Sequence, residues 1–134
     1  MLPFAVRKFL YYGYQRVRTR MLGCVFCRIA AREANATILY EDDQCVAFED
    51  THPQAPVHFL VIPRKHIISL NAELADEEPL LGHLLQVAAR IAKEKGIDRT
   101  GFRAVINTNA EAGQTVFHLH VHILGGRIMR WPPG

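Results

Sequence analysis

The chain has 134 residues, about half of them hydrophobic, and a formal net charge of +3. This length predicts a single domain with one core, and the absence of any run of 18 or more apolar residues excludes a membrane-spanning helix. Five positive charges lie in residues 1–20, which contain no Asp or Glu, so removing them from +3 leaves −2. The remainder therefore lacks the basic surface that is typical of nucleic-acid-binding proteins.

Residues 1–21 are predicted to be a basic extension that precedes a domain over residues 22–134. Its Arg-rich composition suits an organelle-targeting peptide, but such peptides are also rich in Ser, which is absent here. A basic tail and an upstream extension before a true start at Met21 are the alternatives. The odd number of cysteines (three) favours a reducing compartment over a disulfide framework. We expect a cytoplasmic protein, with organelle targeting by residues 1–20 left open.

Hydrophobic periodicity and turn residues predict two helices and five strands. In chain order they are a helix at 24–33, strands at 37–41, 45–49 and 57–62, a long helix at 77–95, and strands at 102–108 and 115–124. Asp76 is the predicted N-cap of the long helix and Gly96 its C′ residue. Short connections between sequential strands favour an antiparallel five-stranded sheet and an α+β fold with one long and one short helix.

Three histidines alternate with apolar residues near the end of the chain. Alternate side chains of a strand share a face. His118, His120 and His122 are therefore predicted to point to one side, with Leu119 and Val121 pointing into the core. Burying an imidazole is costly unless it has a hydrogen-bond partner. Three of them on one face are therefore a costly arrangement, which favours a catalytic site. A solvated face that is rich in histidine and a zinc site are the alternatives.

The pattern His-φ-His-φ-His-φ-φ, in which φ is an apolar residue, resembles the signature of the histidine triad (HIT) superfamily. Residues 45–66 and 107–134, which contain Gly113-Gln114-Thr115-Val116 and end in Trp-Pro-Pro-Gly, resemble the Hint branch in particular. The resemblance extends over residues 22–134. It implies a homodimer, with the sheet extended across it, that hydrolyses purine nucleoside 5′-phosphoramidates and aminoacyl adenylates. The product is the nucleoside monophosphate, released from a covalent nucleotidyl-histidine intermediate.

The resemblance also implies a role for each catalytic histidine. His120 attacks the α-phosphorus, and the main-chain carbonyl of His118 binds its other ring nitrogen. A neutral imidazole is a good nucleophile near pH 7, and covalent catalysis divides one difficult displacement into two easier ones. His122 hydrogen-bonds a phosphate oxygen and protonates the leaving amine, and His58 completes the proton network. This chemistry requires no cofactor.

A pocket for the nucleotide follows from the same resemblance. Gly113, Gln114 and Thr115 match the loop that holds the phosphate, and Thr115 retains the hydroxyl of the serine that is usual in the family. Asp50 corresponds to the acid that binds the ribose hydroxyls, although a turn cap is the alternative, and Asn107 to an asparagine near the ribose and phosphate. The residues implied for the purine wall are Val25, Phe26, Phe48 and Leu60. Plain core packing is the alternative for the last three of these.

Two further features are open to more than one interpretation. Trp131 resembles a residue that reaches the site of the partner protomer, with packing of an exposed end as the alternative. Cys24 and Cys27 form a CxxC pair, which in many bacterial HIT relatives binds zinc with two histidines that match His66 and His118. A Cys₂His₂ set is a closed tetrahedral site and so implies a structural Zn²⁺. Close Hint-type relatives often lack the cysteines and bind no metal.

A nucleoside phosphoramidate hydrolase is therefore the predicted function, and the expected partners are a purine nucleotide and a second copy of the chain. Neither a membrane nor a specific nucleic acid is expected as a partner. Dinucleoside polyphosphate hydrolysis is one alternative, although the Hint-like tail argues against it. A nucleotide-binding adaptor with little catalysis is another, and nucleic-acid binding through residues 1–20 is a third. His52 and His83 have no assigned role and are predicted to lie at the surface.

Overall fold

The structure, a computed structural model, describes Met21 and residues 23–134, so the predicted extension lies, apart from Met21, outside the described residues. Two α-helices, five β-strands and one 3₁₀ turn form in this part of the chain. They are α1 (Val25–Ala30), β1 (Ile38–Glu41), β2 (Cys45–Glu49), β3 (Val57–Pro63), α2 (Glu78–Glu94), β4 (Phe102–Val105), the 3₁₀ turn (Ala110–Ala112) and β5 (Val121–Gly125). Neither helix is long and apolar enough to cross a membrane.

The five strands form one antiparallel sheet in the order β1-β2-β3-β5-β4. The last strand, β5, lies between β3 and β4, and its register places His122 opposite Leu60 and Val121 opposite Val61. The end of the chain that carries the histidines is thus brought to the middle of the sheet. The predicted α+β class, with an antiparallel five-stranded sheet, one long helix and one short helix, is confirmed.

The two helices cover opposite faces of the sheet because side chains alternate along each strand. In β2, Cys45 and Ala47 pack towards α2, whereas Val46 and Phe48 pack towards α1. The α2 layer is the larger, and its helix contributes Leu84, Val87, Ala88, Ile91 and Ala92. Full burial of each large aliphatic side chain contributes about 1.5–3 kcal/mol. The α1 layer is smaller, which leaves room on this face for a cleft.

The sequence predicted the C-terminal end of α2 correctly but not its N-cap. Asp76 is not the N-cap, because α2 begins at Glu78 and Glu77 takes the cap position without a side-chain hydrogen bond. Pro79 lies in the first turn, where a missing N–H costs no intrahelical bond. At the other end Gly96 has φ +77°, as a C′ glycine should. This end of the helix is confirmed.

The predicted strand at 115–124 is wrong in its first half, because only Val121–Gly125 pairs as β5. Its neighbour β3 ends at Pro63, which has no N–H to donate and after which the chain leaves the sheet. Leu119 instead donates its backbone N–H to the carbonyl of Ile67, at 2.6 Å. The alternation of side chains continues through the unpaired segment, since Leu119 is buried in the α2 layer. The strand predicted at 102–108 likewise ends at Val105.

Candidate active site

The three alternating histidines lie together on the α1 side of the sheet. His118 is completely buried, His120 is 7% exposed, and His122 is half-buried. The ring centroids of His120 and His122 are 4.9 Å apart, and that of Phe26 in α1 is 5.1 Å from that of His120. The extended backbone from 118 to 122 therefore presents all three imidazoles to one side, although only His122 belongs to a strand.

The hydrogen bond made by His120 determines which of its ring nitrogens holds the proton. Nδ1 lies 2.6 Å from the main-chain oxygen of His118, which can only accept, so Nδ1 donates. Burial lowers the pKa of His120, so the ring is neutral at pH 7. Nε2 of a neutral ring protonated on Nδ1 carries a lone pair, and a lone pair on nitrogen is what a nucleophile requires.

A second chain of hydrogen bonds runs from β3 to the last triad histidine. The backbone N–H of Gln54 donates to Nδ1 of His58 at 2.9 Å, so the proton of neutral His58 is on Nε2. That nitrogen lies 2.9 Å from Nδ1 of His122. Donation across this contact leaves the proton of His122 on Nε2. Burial, together with the neighbouring His120 and His58, lowers the pKa of His122 to about 4, and burial lowers the pKa of His58 in spite of Asp50.

Asp50 follows β2 and has different partners on its two carboxylate oxygens. Oδ1 accepts the backbone N–H of His52 at 2.8 Å, which makes a turn cap. Oδ2 lies 3.2 Å from Nε2 of His58 and 3.9 Å from Nδ1 of His122. Asp50 therefore caps a turn and faces the histidines at once.

An open cleft of about 450 Å³ lies beside the triad, between α1 and the loop that precedes β5. Among the predicted catalytic and substrate-binding residues, it is lined by Val25, Phe26, Phe48, Asp50, Leu60, Asn107, Gly113, Thr115, His120 and His122. No Lys or Arg lines the cleft in the part of the chain that the structure describes. A phosphate bound here would therefore be held by uncharged donors and by the histidines.

A larger depression of about 630 Å³ lies between the start of β4 and residues 126–129. No histidine lines it. We place the candidate active site in the smaller cleft because only that cleft contains groups able to act as a nucleophile and as an acid.

Three apolar residues belong both to the hydrophobic core and to the wall of the cleft. Phe26, Phe48 and Leu60 are at most 7% exposed, and all three line the cleft. The rings of Phe26 and Phe48 meet edge to face, with centroids 5.4 Å apart. Val25 is different, since it is 42% exposed and lies at the rim.

Two predicted substrate-binding residues do not line the cleft. Gln114 is 6% exposed, and its side-chain amide is bonded entirely to backbone. Nε2 donates to the carbonyls of Ile68 at 3.0 Å and Val116 at 3.2 Å, and Oε1 accepts the N–H of Asn109 at 2.9 Å. The side chain thus braces the loop whose other residues form the cleft wall. Trp131 is 84% exposed and lies outside the cleft.

The CxxC pair meets His66 and the first triad histidine, His118, at the start of α1. Nδ1 of His118 lies 3.4 Å from Sγ of Cys24 and 3.5 Å from Sγ of Cys27, and Nδ1 of His66 lies 3.3 Å from Sγ of Cys27. All four donor atoms are within 4.8 Å of one another. Nε2 of His118 donates to the carbonyl of Pro63 at 2.7 Å, which turns the Nδ1 lone pair towards the sulfurs.

The protonation of these two histidines also suits a metal. Burial lowers the pKa of His118 to about 4 and lowers that of His66. Both rings are therefore neutral at pH 7, the state in which imidazole binds a cation. Two thiolates and two neutral imidazoles fit Zn²⁺.

Comparison with known proteins identifies the family to which this arrangement belongs. The HIT domain model matches residues 31–129, and a HIT-like protein of Synechocystis is 56% identical over 110 residues, which cover 82% of this chain and 96% of the relative. The chain is a member of the histidine triad family. A HIT family hydrolase from Legionella pneumophila Philadelphia 1 has a crystal structure that is 46% identical, with a TM-score of 0.82, and the match covers 84% of this chain and 100% of that one.

A second solved HIT structure bears on the cysteine and histidine cluster. It is a Zn-bound histidine triad family protein from Mycobacterium smegmatis, 34% identical with a TM-score of 0.68. The match covers 79% of this chain and 76% of that one. That protein therefore combines the HIT fold with bound zinc.

Several residues of the HIT cleft were missed by sequence reasoning. Asn35, Glu49, Thr51 and His52 all line it. The last three flank Asp50, so adjacency to that residue was the available signal, whereas no pattern in the sequence indicated Asn35. His83, predicted at the surface, is partly buried, with Nε2 2.6 Å from the Asp42 carboxylate.

Proposed function

We propose that this HIT protein hydrolyses purine nucleoside 5′-phosphoramidates and aminoacyl adenylates through a covalent nucleotidyl-His120 intermediate. The observation that carries the proposal is the pair of His120 and His122, one with a lone pair on Nε2 and the other with a proton on Nε2, beside one cleft. The name of the Legionella pneumophila relative supports hydrolysis as the reaction class. The substrate class rests on the Hint-like motifs of residues 45–66 and 107–134.

The first step forms the bond between His120 and phosphorus. The His58–His122 pair takes up one proton with the anionic substrate, because a bound phosphate favours the charged form of a neighbouring imidazole. The Nε2 lone pair of His120 attacks phosphorus as the P–N bond breaks, and Nε2 of His122 gives its proton to the departing nitrogen. The amine leaves neutral, and the nucleotide stays on an imidazolium whose Nδ1–H remains bonded to the carbonyl of His118.

The second step returns the protein to its starting state. Water attacks phosphorus, its proton passes to the His58–His122 pair, and the bond between phosphorus and His120 breaks. The nucleoside monophosphate then departs, and the His58–His122 pair releases to solvent the proton that it took up with the substrate. Because His58 binds both Gln54 and His122, it keeps the ring of His122 in the orientation that both proton transfers need.

The remaining cleft residues hold the nucleotide in this proposal. Gly113 and Thr115 supply uncharged donors to the phosphate, which concentrates stabilisation where charge develops in the transition state. Asp50 and Asn107 bind the ribose, and the wall formed by Phe26, Phe48 and Leu60 packs against the base. Since no Lys or Arg lines the described cleft, neutral dipoles and the protonated histidine pair balance the phosphate charge.

We also propose that Cys24, Cys27, His66 and His118 hold a structural Zn²⁺. The donor set and the Zn-bound Mycobacterium smegmatis relative support this site. The ion would tie α1 to the segment before β5. His118 belongs to both sites, since its ring faces the sulfurs while its main-chain oxygen accepts from His120. A fixed His118 ring would therefore help to keep His120 aligned.

A homodimer through the outer edge of β4 is the third part of the proposal. Within the described chain β4 pairs only with β5, so its outer edge offers unpaired backbone groups to another strand. Phe102 on this strand is 37% exposed, and Ile128 in the nearby tail is 91% exposed. Analytical ultracentrifugation should show a dimer that Phe102→Glu shifts towards monomer. The matched change Ile68→Glu, at an apolar residue exposed elsewhere, should leave the dimer intact.

The decisive experiment measures turnover of a fluorogenic adenosine 5′-phosphoramidate by the wild type, His120→Ala and His83→Ala. Loss of a covalent nucleophile should lower kcat by about a thousandfold or more. His83 lies outside the cleft, so His83→Ala should retain turnover at a temperature where it is folded. Rapid quenching followed by mass spectrometry should find a nucleotidyl adduct on His120 of the wild type.

Two outcomes would favour a different function. A wild type that binds adenosine monophosphate without turning over the phosphoramidate would favour the nucleotide-binding module. Faster hydrolysis of diadenosine polyphosphates than of phosphoramidates would favour the sister-branch activity. Full turnover by His120→Ala would contradict the assignment of the nucleophile.

A further inference from the structure

Asn35 lies between α1 and β1 and lines the cleft. Its neighbours Ala34 and Ala36 pack against the apolar cluster that contains Phe26 and Phe48. Asn35 itself is exposed, and its side chain makes no hydrogen bond with any other described residue. An amide with no partner among the described residues thus lines the cleft beside its apolar wall.

The histidines and the apolar wall of the cleft suit different parts of a nucleotide. His120, His122 and Thr115 line one part of the cleft. The apolar wall begins at Phe26, whose ring centroid is 5.1 Å from that of His120, and continues to Phe48, whose ring centroid is 5.4 Å from that of Phe26. If phosphorus lies beside His120, as the proposed function requires, the base extends along the wall formed by Phe26 and Phe48. Asn35 is then the polar side chain placed to meet the edge of the base.

Three other polar side chains that line the cleft already have partners. Glu49 is paired with Lys95, whose Nζ is 2.5 Å away. Both oxygens of Asp50 are engaged, and Oγ1 of Thr51 lies 3.1 Å from Nδ1 of His52. A new hydrogen bond from Asn35 to a ligand would break none of these contacts.

The chemistry of an amide favours one purine over the other. An apolar wall packs against any base, because every base has an apolar face. A carboxamide carries one acceptor and one donor group. Adenine presents a donor at N6 and an acceptor at N7, whereas guanine presents acceptors at both O6 and N7. We propose that Asn35 pairs with the N6/N7 edge of the base and gives this cleft a preference for adenine over guanine nucleotides.

The preference is measurable by binding alone, without turnover. Isothermal titration should show that the wild type binds adenosine monophosphate about five- to tenfold more tightly than guanosine monophosphate. In Asn35→Ala the ratio should fall to about one. Asn71 is exposed and lies outside the cleft, so Asn71→Ala should keep the wild-type ratio.

A modified ligand separates base recognition from a structural role of Asn35. In 7-deazaadenosine monophosphate, N7 is replaced by a C–H group that cannot accept. The wild type should bind it several-fold more weakly than adenosine monophosphate, and Asn35→Ala should bind the two equally. A residue that only shaped the cleft would weaken both ligands by the same factor in the variant.

The outcomes distinguish this inference from the proposed function on which it rests. An adenine preference that survives in Asn35→Ala, or equal binding of both monophosphates by the wild type, overturns the role of Asn35. Loss of the preference in Asn35→Ala supports it, even if the phosphoramidate is not hydrolysed, in which case only the proposed reaction falls. Failure of the wild type to bind either monophosphate overturns both.

Discussion

The side chain of Gln114 offers the sharpest test of how the cleft wall is held. Leucine has nearly the same size but cannot replace the three bonds to Ile68, Val116 and Asn109. At 6% exposure, the groups left behind have little access to water. A net hydrogen bond contributes about 0.5–1.5 kcal/mol, and a buried group left without a partner costs about 1–3 kcal/mol. Gln114→Leu should therefore lower the free energy of unfolding by about 2–4 kcal/mol.

Equilibrium unfolding in urea at pH 7 measures this loss. Gln86→Leu is the control, because Gln86 is exposed on α2 and the same change there should stay within about 0.5 kcal/mol. The kcat/KM of Gln114→Leu should also fall, since Gly113 and Thr115 lie on the braced loop. A loss of less than about 1 kcal/mol, or a loss no larger than that of Gln86→Leu, would refute the bracing role.

Four more predictions concern the fold and the proposed zinc site. In Gly125→Ala the new Cβ would lie 2.7 Å from Cδ1 and 3.1 Å from Cβ of Ile97, which should lower stability by about 1–3 kcal/mol in urea unfolding. Gly82→Ala, in open space on α2, should instead raise it by about 0.5–1 kcal/mol. Burial would raise the pKa of Asp42, but hydrogen bonds from His83 and two backbone amides bring it well below its ordinary value. Asp42→Asn should therefore destabilise the fold at pH 7 by an amount that shrinks below about pH 4, where the unfolded carboxyl takes up its proton. A constant loss from pH 7 to pH 3 would contradict this. Finally, a strong chelator should lower the Tm if zinc occupies the Cys₂His₂ set, and an unchanged Tm with no zinc in elemental analysis would remove that site.

Features that depend only on residues adjacent in the chain could be predicted from the sequence alone. The spacing of His118, His120 and His122 presents them to one side because an extended backbone alternates its side chains whether or not it is paired. Gly96 ends α2 because only glycine readily adopts the left-handed conformation found there. In β2 and β3, consecutive apolar residues are buried on alternate faces, so the two-residue period of a strand determines which of them share a layer.

Features that join distant segments were decided by the tertiary structure. Strand pairing stops before His120 because Pro63 ends the neighbouring strand, and no local pattern at 115–124 contains that information. Gln114 matches a phosphate-binding motif, yet its side chain binds the carbonyl of Ile68, which is 46 residues away.

The sites themselves combine both kinds of information. The spacing of Cys24 and Cys27 places two sulfurs at the start of one helix, but His118 reaches them from 94 and 91 positions further along the chain. No sequence pattern marks Asn35 as a site residue. It lines the cleft only because α1 packs on the face of the sheet that carries the histidines. Periodicity and backbone conformation are set within a few residues, whereas contacts across the chain depend on which faces pack together and where each strand loses its partner.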